Sequence, residues 1–246
     1  WNDQSYLNLY TADVAKDSTL QNVQIADSEA NSRFHEGTVA YDFENKEIFF
    51  TRNYYFKGKK KEGEDGRLNL AIYYGHYENG ELDKLEEFPF NNEEYSVGHP
   101  ALTKDGKTMY FTSNMPGGSG GTDIYMTSRT GSGWSDPVNL GPEVNTPGEE
   151  MFPYVDNQGI LHFASDGHPG LGGLDLFYLD ASNENAVKNF GYPVNSSFDD
   201  FGIVTFDDGR FGYFSSNRPG GVGDDDIYQF VTSKASVIRV AGLVVD

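Results

Sequence analysis

Several stretches of this 246-residue chain carry residue types that do chemistry elsewhere. Gly117-Gly118-Ser119-Gly120-Gly121 fits G-x-S-x-G, the sharp strand-to-helix turn that presents a serine nucleophile to a partner histidine. Gly220-Gly221-Val222-Gly223-Asp224-Asp225-Asp226-Ile227-Tyr228 fits the nonapeptide G-G-x-G-x-D-x-U-x, whose stacked copies converge carboxylates and carbonyls on calcium. Glu36, Glu149, Glu150, Asp199 and Asp200 stand just before short apolar segments, and paired carboxylates are what glycoside hydrolysis requires. His35, His99, His162 and His168 are imidazoles of interest, but no two have the helical spacing of metal ligands.

The chain contains its own controls, because these motifs sit in an internal repeat. SNMPGGSGGTDIY (113–125), SDGHPGLGGLDLF (165–177) and SNRPGGVGDDDIY (216–228) align without gaps. Leu171 and Val222 replace Ser119 in the other copies, which rules out a serine nucleophile; the glycines recur instead, as Gly118, Gly170 and Gly221 and as Gly120, Gly172 and Gly223. Such a loop needs glycine either for positive φ or for close backbone approach. The three-Asp run of the nonapeptide is absent from the related copies, so no stacked calcium site forms and no metal or other cofactor is expected. Asp123, Asp175 and Asp226 recur at one position, where a carboxylate can accept hydrogen bonds from loop amides and hold the turn. Asn69 and Asn8 are expected to stand in for it in two degenerate copies. His35 and His99 are approximately equivalent in this frame.

Each copy has the makings of a four-stranded blade. A short apolar strand (Pro100 to Thr103, Pro153 to Val155, Gly202 to Phe206) leads through Asp105-Gly106, Asn157-Gln158-Gly159 or Asp208-Gly209 to a second strand around Tyr110-Phe111, His162-Phe163 or Tyr213-Phe214. The glycine loop and third strand follow, then NLGPEVNT (139–146) or NFGYPVNS (189–196), the outer strand and connection. Four short antiparallel strands per roughly 50 residues predict an all-β fold, a β-propeller of about five blades, with a β-sandwich as the alternative. The blades divide as 1–33 (incomplete, lacking its two inner strands), 34–97, 98–148, 149–198 and 199–235; residues 236–246 fit no part of the repeat.

Composition narrows the function. The net charge of −20 argues against nucleic acid and anionic membrane surfaces, and favours salt-sensitive association with a basic protein partner. The Lys57 to Lys61 run is followed at once by Glu62, Glu64 and Asp65, as in a solvated hairpin tip. With no cysteine there is no disulfide framework and no thiolate chemistry. No apolar run is long enough to span a membrane, Trp1-Asn2-Asp3-Gln4 has no signal-peptide character, and both ends of the chain look cut.

FHEGTVAYD (34–42) with FFTRN (49–53), PFNNEEYSVGHPALTKDGKTMYFTSNMPG (89–117), FASDGHPGLGGLDLF (163–177) and DDFG (199–202) with SSNRPGGVGDDDIY (215–228) resemble the WD40-like, TolB-type propeller of OmpA-family envelope proteins. They are similar in detail to the PorE-type component associated with type IX secretion in Bacteroidota. The resemblance implies a periplasmic, outer-membrane-associated protein in which helical repeats precede the propeller. A carboxypeptidase-regulatory-like sandwich, beginning here at 236–246, and a peptidoglycan-binding domain would follow it. It further implies that the missing strands of the first blade lie before Trp1, and that peptidoglycan is reached only through a domain these residues do not contain.

The resulting expectation is a non-catalytic scaffold that binds envelope proteins, secretion components among them, through the face where first strands begin. His35, Tyr95, His99, Phe152 and Phe201 are the residues expected at that face. A propeller glycosidase or glycan-binding module is the alternative, disfavoured because the inner strands carry no acids and Glu36, Glu149, Glu150, Asp199 and Asp200 suit solvation or partner contact at a rim.

Overall fold

The computed structural model describes residues 7–17, 19–27, 29–131, 133–180, 186–206, 209–232 and 238–242. Among them all regular structure is β-strand. The chain forms two compact units, Trp1–Pro100 and Ala101–Asp246, and the division falls inside strand Val97–Leu102.

The first unit holds a hairpin, Tyr10–Val14 with Leu20–Ile25, and a four-stranded antiparallel sheet in the order Glu36–Asp42, Glu47–Asn53, Leu70–Glu78, Glu81–Glu87. Its second strand is apolar on both faces because both are covered; Phe49 and Phe50 are fully buried. Phe50, Tyr73, Ile48 and Leu82 form the core, with Leu9, Tyr41 and Tyr77 packed against it. The Lys-rich insert is a small hairpin, Tyr55–Phe56 with Lys59–Lys60.

In the second unit the sheets follow chain order. One runs from Val97–Leu102 through Thr108–Ser113 and Asp123–Thr130, whose outer edge takes both Gly133–Trp134 and Val138–Asn139. The next is Glu150–Val155, Leu161–Ser165, Asp175–Asp180, Ala186–Asn189, and the last is Asp200–Phe206, Phe211–Ser216, Asp226–Thr232, Ile238–Gly242. The expected hairpin turns form, with Gly106, Gly159 and Gly209 at φ of 65°, 84° and 80°; Asp208 lies outside the described residues. Of the segment 236–246, expected to fit no part of the repeat, the structure describes Ile238–Gly242. Ile238–Gly242 pairs antiparallel with Asp226–Thr232 and supplies the fourth strand of the repeat, giving the open edge of the third strand a partner. Residues 236, 237 and 243–246 lie outside the described residues.

Two features recur from sheet to sheet. The first is a bulge in the first strand, where Thr38, His99, Phe152 and Gly202 take left-handed φ of 28°, 50°, 51° and 63°. The register slips there between Gly37 and Val39, Met151 and Tyr154, and Phe201 and Val204.

The second is an asparagine in each connection. Its side-chain amide accepts from the N–H and donates to the C=O of one third-strand residue: Asn91 with Ile72 (2.9 and 2.7 Å), Asn145 with Ile124 (2.8 and 2.9 Å), Asn195 with Leu176 (2.8 and 2.9 Å). Asn31 does the same with Leu9 at 2.7 and 3.3 Å. Asn195 and Leu176 are both fully buried, so losing the amide strands the Leu176 N–H. Asn195→Ala is expected to lower stability by about 2–3 kcal/mol in chemical denaturation. Asn195→Asp, which keeps the acceptor but turns an oxygen toward the Leu176 carbonyl, should cost as much.

Candidate functional site

The recurring aspartates are spent on their own loops. Asp123 Oδ2 accepts from Ser119 N–H (2.6 Å) and Asn139 Nδ2 (2.7 Å); Asp175 Oδ2 accepts from Leu171 N–H and, at 3.3 Å, Gly172 N–H. Asp226 accepts from Val222 N–H (3.0 Å) and Gly223 N–H (3.3 Å). The carboxylate lies where a Cβ at Gly118, Gly170 or Gly221 would be, which accounts for the recurring glycine; a Cβ at Gly120 or Gly172 would overlap the backbone of Pro147 or Phe198. Gly223 is less constrained, a Cβ there meeting the Asp225 carbonyl oxygen at 3.2 Å as its nearest neighbour.

Ser119 contributes its backbone amide to this loop. Burial pushes the Asp175 carboxyl above its ordinary range against the pull of its two amide donors, with Asp200 and Asp199 adding to the rise. Among the described residues no group of three or more His, Asp or Glu is placed to hold a metal ion.

The cross-strand register corrects one equivalence. Ser113, Ser165 and Ser216 face Asp123, Asp175 and Asp226, while in the first unit Arg52 faces Ala71. Ala71, not Asn69, therefore holds the aspartate's place, and the Arg52 guanidinium fills the space, lying 4.2 Å from the Tyr73 ring centroid and donating to Tyr55 O at 3.1 Å. The bulge corrects another. His99 is equivalent to Thr38, Phe152 and Gly202, and His35 lies three residues before Thr38.

Glu36, Glu150 and Asp200, expected just ahead of first strands free of acids and on a solvated rim, are instead the opening residues of those strands. Glu36, Glu150 and Asp200 are 2%, 0% and 0% exposed. Glu150 accepts from Thr146 N–H, Thr146 Oγ1 and Ser165 Oγ, each at 2.7 Å. Asp200 accepts from Ser196 N–H (2.6 Å) and Oγ (2.8 Å) and pairs with Arg218. Glu36 accepts from Ser32, and burial pushes its carboxyl up. A Ser or Thr four residues before the acid was the signal in the sequence, visible as Ser32, Thr146 and Ser196. Glu149 and Asp199 likewise accept from Thr122 N–H (2.8 Å) and Leu174 N–H (2.9 Å).

Of the five residues expected at a partner face, Phe152 and Phe201 are brought together in the second unit, half-buried, with ring centroids 4.8 Å apart. In the first unit His35 is exposed, Tyr95 is half-buried and His99 is 7% exposed, so His99 offers a partner almost no surface. The other imidazoles serve the fold: His162 Nε2 bonds Asp156 Oδ2 at 3.1 Å, and His168 Nε2 donates to Val144 O at 2.8 Å. Sequence reasoning missed a largely apolar cleft of about 530 Å³ in the first unit, lined in part by Leu9, Tyr10, Val39, Tyr41, Phe43 and Ile48.

Solved structures share this architecture. TolB from Acinetobacter baumannii aligns with a TM-score of 0.56 at 18% identity over 89% of this chain and 48% of its own. A putative TolB from Agrobacterium tumefaciens aligns at 0.53 and 12% identity, covering 92% and 66%. A puromycin-hydrolyzing peptidase from Mycobacterium tuberculosis aligns at 0.53 and 16% identity, covering 90% and 30%. This chain thus spans less than half of the Acinetobacter protein. No family model and no curated protein matches it.

Two predictions follow from burial. His99 is held neutral, its pKa lowered from 6.5 to about 4 by burial. Above pH 6.5 the imidazole is uncharged folded or unfolded; below it only the unfolded chain takes up the proton, so stability falls with pH until about 4. Relative to His99→Asn, which tolerates the left-handed backbone, the parent should lose up to about 3 kcal/mol between pH 7 and 4 in denaturant titrations. Asp175→Ala should cost about 1–3 kcal/mol at pH 7, and Asp175→Asn, which retains an acceptor, distinctly less. By these structural likenesses the chain has the β-propeller fold that TolB has.

Proposed function

We propose that this chain is a non-catalytic interaction module, an acidic propeller that binds a protein partner in the cell envelope. The observation that carries the reading is where the chemistry-bearing side chains are spent. The buried carboxylates Glu36, Glu150, Asp200, Asp123 and Asp175 each bind hydroxyls or amides of their own repeat or of the connection leading into it, leaving side chains such as the Phe152–Phe201 pair to vary between copies. A net charge of −20 favours a basic partner and fast, salt-sensitive association.

The sequence resemblance extends the proposal to a periplasmic, outer-membrane-associated protein of the OmpA family. There the propeller would hold type IX secretion or outer-membrane components while other domains reach peptidoglycan.

The test is a pull-down from envelope extract with the chain as bait, and mass spectrometry of what is retained. Specific envelope proteins should be held at low ionic strength, released as salt rises, and lost with Phe152→Ala/Phe201→Ala. Retention of nothing, together with release of reducing sugar from envelope glycans by the purified chain, would overturn the reading in favour of a glycosidase.

A further inference from the structure

The hairpin Tyr10–Val14/Leu20–Ile25 reproduces the outer half of a repeat. Ala26 N–H donates to Leu9 O at 2.8 Å, as Phe88, Leu140 and Phe190 donate to Ile72, Ile124 and Leu176. Glu36 N–H donates to Leu7 O at 2.9 Å, as Glu150 and Asp200 donate to Thr122 and Leu174. With the Asn31 amide on Leu9, these bonds set the register without ambiguity: Tyr10 holds the place of Tyr73, Tyr125, Phe177 and Tyr228.

Those four rings are 0%, 5%, 2% and 7% exposed. Each is covered by a second-strand phenylalanine, Phe50, Phe111, Phe163 or Phe214, at centroid distances of 6.2, 6.0, 5.8 and 5.8 Å. Tyr10 is 60% exposed. Among the described residues its strand pairs with Leu20–Ile25 alone, and the 530 Å³ cleft opens beside it. Val39 and Phe43, which also line the cleft, are 46% and 81% exposed. An unpaired strand edge beside an apolar cleft is a template for strand addition.

We propose that this edge and cleft seat a β-hairpin carrying the inner-strand pattern of the same repeat, donated by polypeptide other than the described strands, each of which is already paired. The complete sheets state what the occupant looks like. Its strand next to Tyr10–Val14 runs antiparallel to it and places a phenylalanine opposite Tyr10, with a small hydroxyl residue opposite Asn8, as Phe163 and Ser165 face Phe177 and Asp175. This inference rests on register and is independent of whether the chain is an enzyme.

The probe is a fluorescein-labelled peptide with the sequence of residues 97–113, linear and closed by a terminal disulfide, titrated with the 246-residue chain and read by anisotropy. Saturable binding is expected from the closed form at least. Phe111→Ala in the peptide, or Tyr10→Ala or Val39→Asp in the chain, should weaken it about tenfold or more. Both chain positions are exposed, so circular dichroism should show the fold unchanged. Failure of both peptides to bind, or binding indifferent to Tyr10→Ala and Val39→Asp, would overturn the proposal. So would light scattering that shows a dimer broken by Tyr10→Ala, because the edge would then belong to a second copy.

Discussion

The structure depends on a backbone problem that four connections solve in the same way. A third strand must be finished on its outer side while the chain leaves it to begin the next sheet, and the carbonyl and amide at that point are buried. The connection supplies a backbone N–H to the carbonyl, and a few residues later an asparagine offers its amide to both groups at once. The same asparagine fixes where the chain departs: Asn31, Asn145 and Asn195 are each followed after five residues by the buried acids Glu36, Glu150 and Asp200. Sheet closure and launch of the next sheet are thus one device. The Ser or Thr next to the asparagine completes it by bonding the acid.

The glycine loop is the second half of this economy. Its aspartate gathers loop amides, and the glycine exists because the carboxylate occupies the place of a side chain. Where the loop is lengthened, in the first unit, aspartate and glycine are lost together. Arg52 takes over with a guanidinium that binds Tyr55 O and lies over Tyr73. The arginine in the last sheet is a different solution to a nearby need, since Arg218 ties Pro193 O and Val194 O to Asp200. His168 reaches Val144 O in the connection before its own sheet. One carbonyl position is thus served by two unlike side chains, which is why neither stands out as a motif.

Much of this was legible in the sequence. The gapless copies gave period, strand order and turn positions, and they dismissed Ser119 because a nucleophile has no reason to become Leu171 or Val222. What could not be read was register. A bulge leaves no trace in residue type except at Gly202, so the sequence does not reveal that His99 is equivalent to Thr38 and not to His35. The degenerate copy has no glycine loop to count from, so the place of Ala71 is visible only in the cross-strand register. The acids looked exposed because Asp and Glu are seldom fully buried, and burial here is made possible by hydroxyl and amide partners lying elsewhere in the repeat. Ile238–Gly242 looked foreign because an outer strand needs only to alternate, and it shares no motif with NLGPEVNT or NFGYPVNS.

The bulge also bears on where individuality can arise. Thr38, His99 and Phe152 hold a left-handed backbone that costs a non-glycine residue about 1–3 kcal/mol, and Gly202 shows that the repeat accepts the residue free of that cost. Three of four copies nevertheless carry side chains there, of three unrelated kinds. The backbone is left-handed in each, so that conformation is set by the sheet, while the side chain is set by what it meets. For Phe152 that is Phe201, for Thr38 the hydroxyl of Thr51, and for His99 an interior that holds its ring neutral. Recurrent positions therefore build the scaffold. The bulge, left-handed in every copy and different in chemistry, is a place where the repeat allows each blade to acquire its own properties.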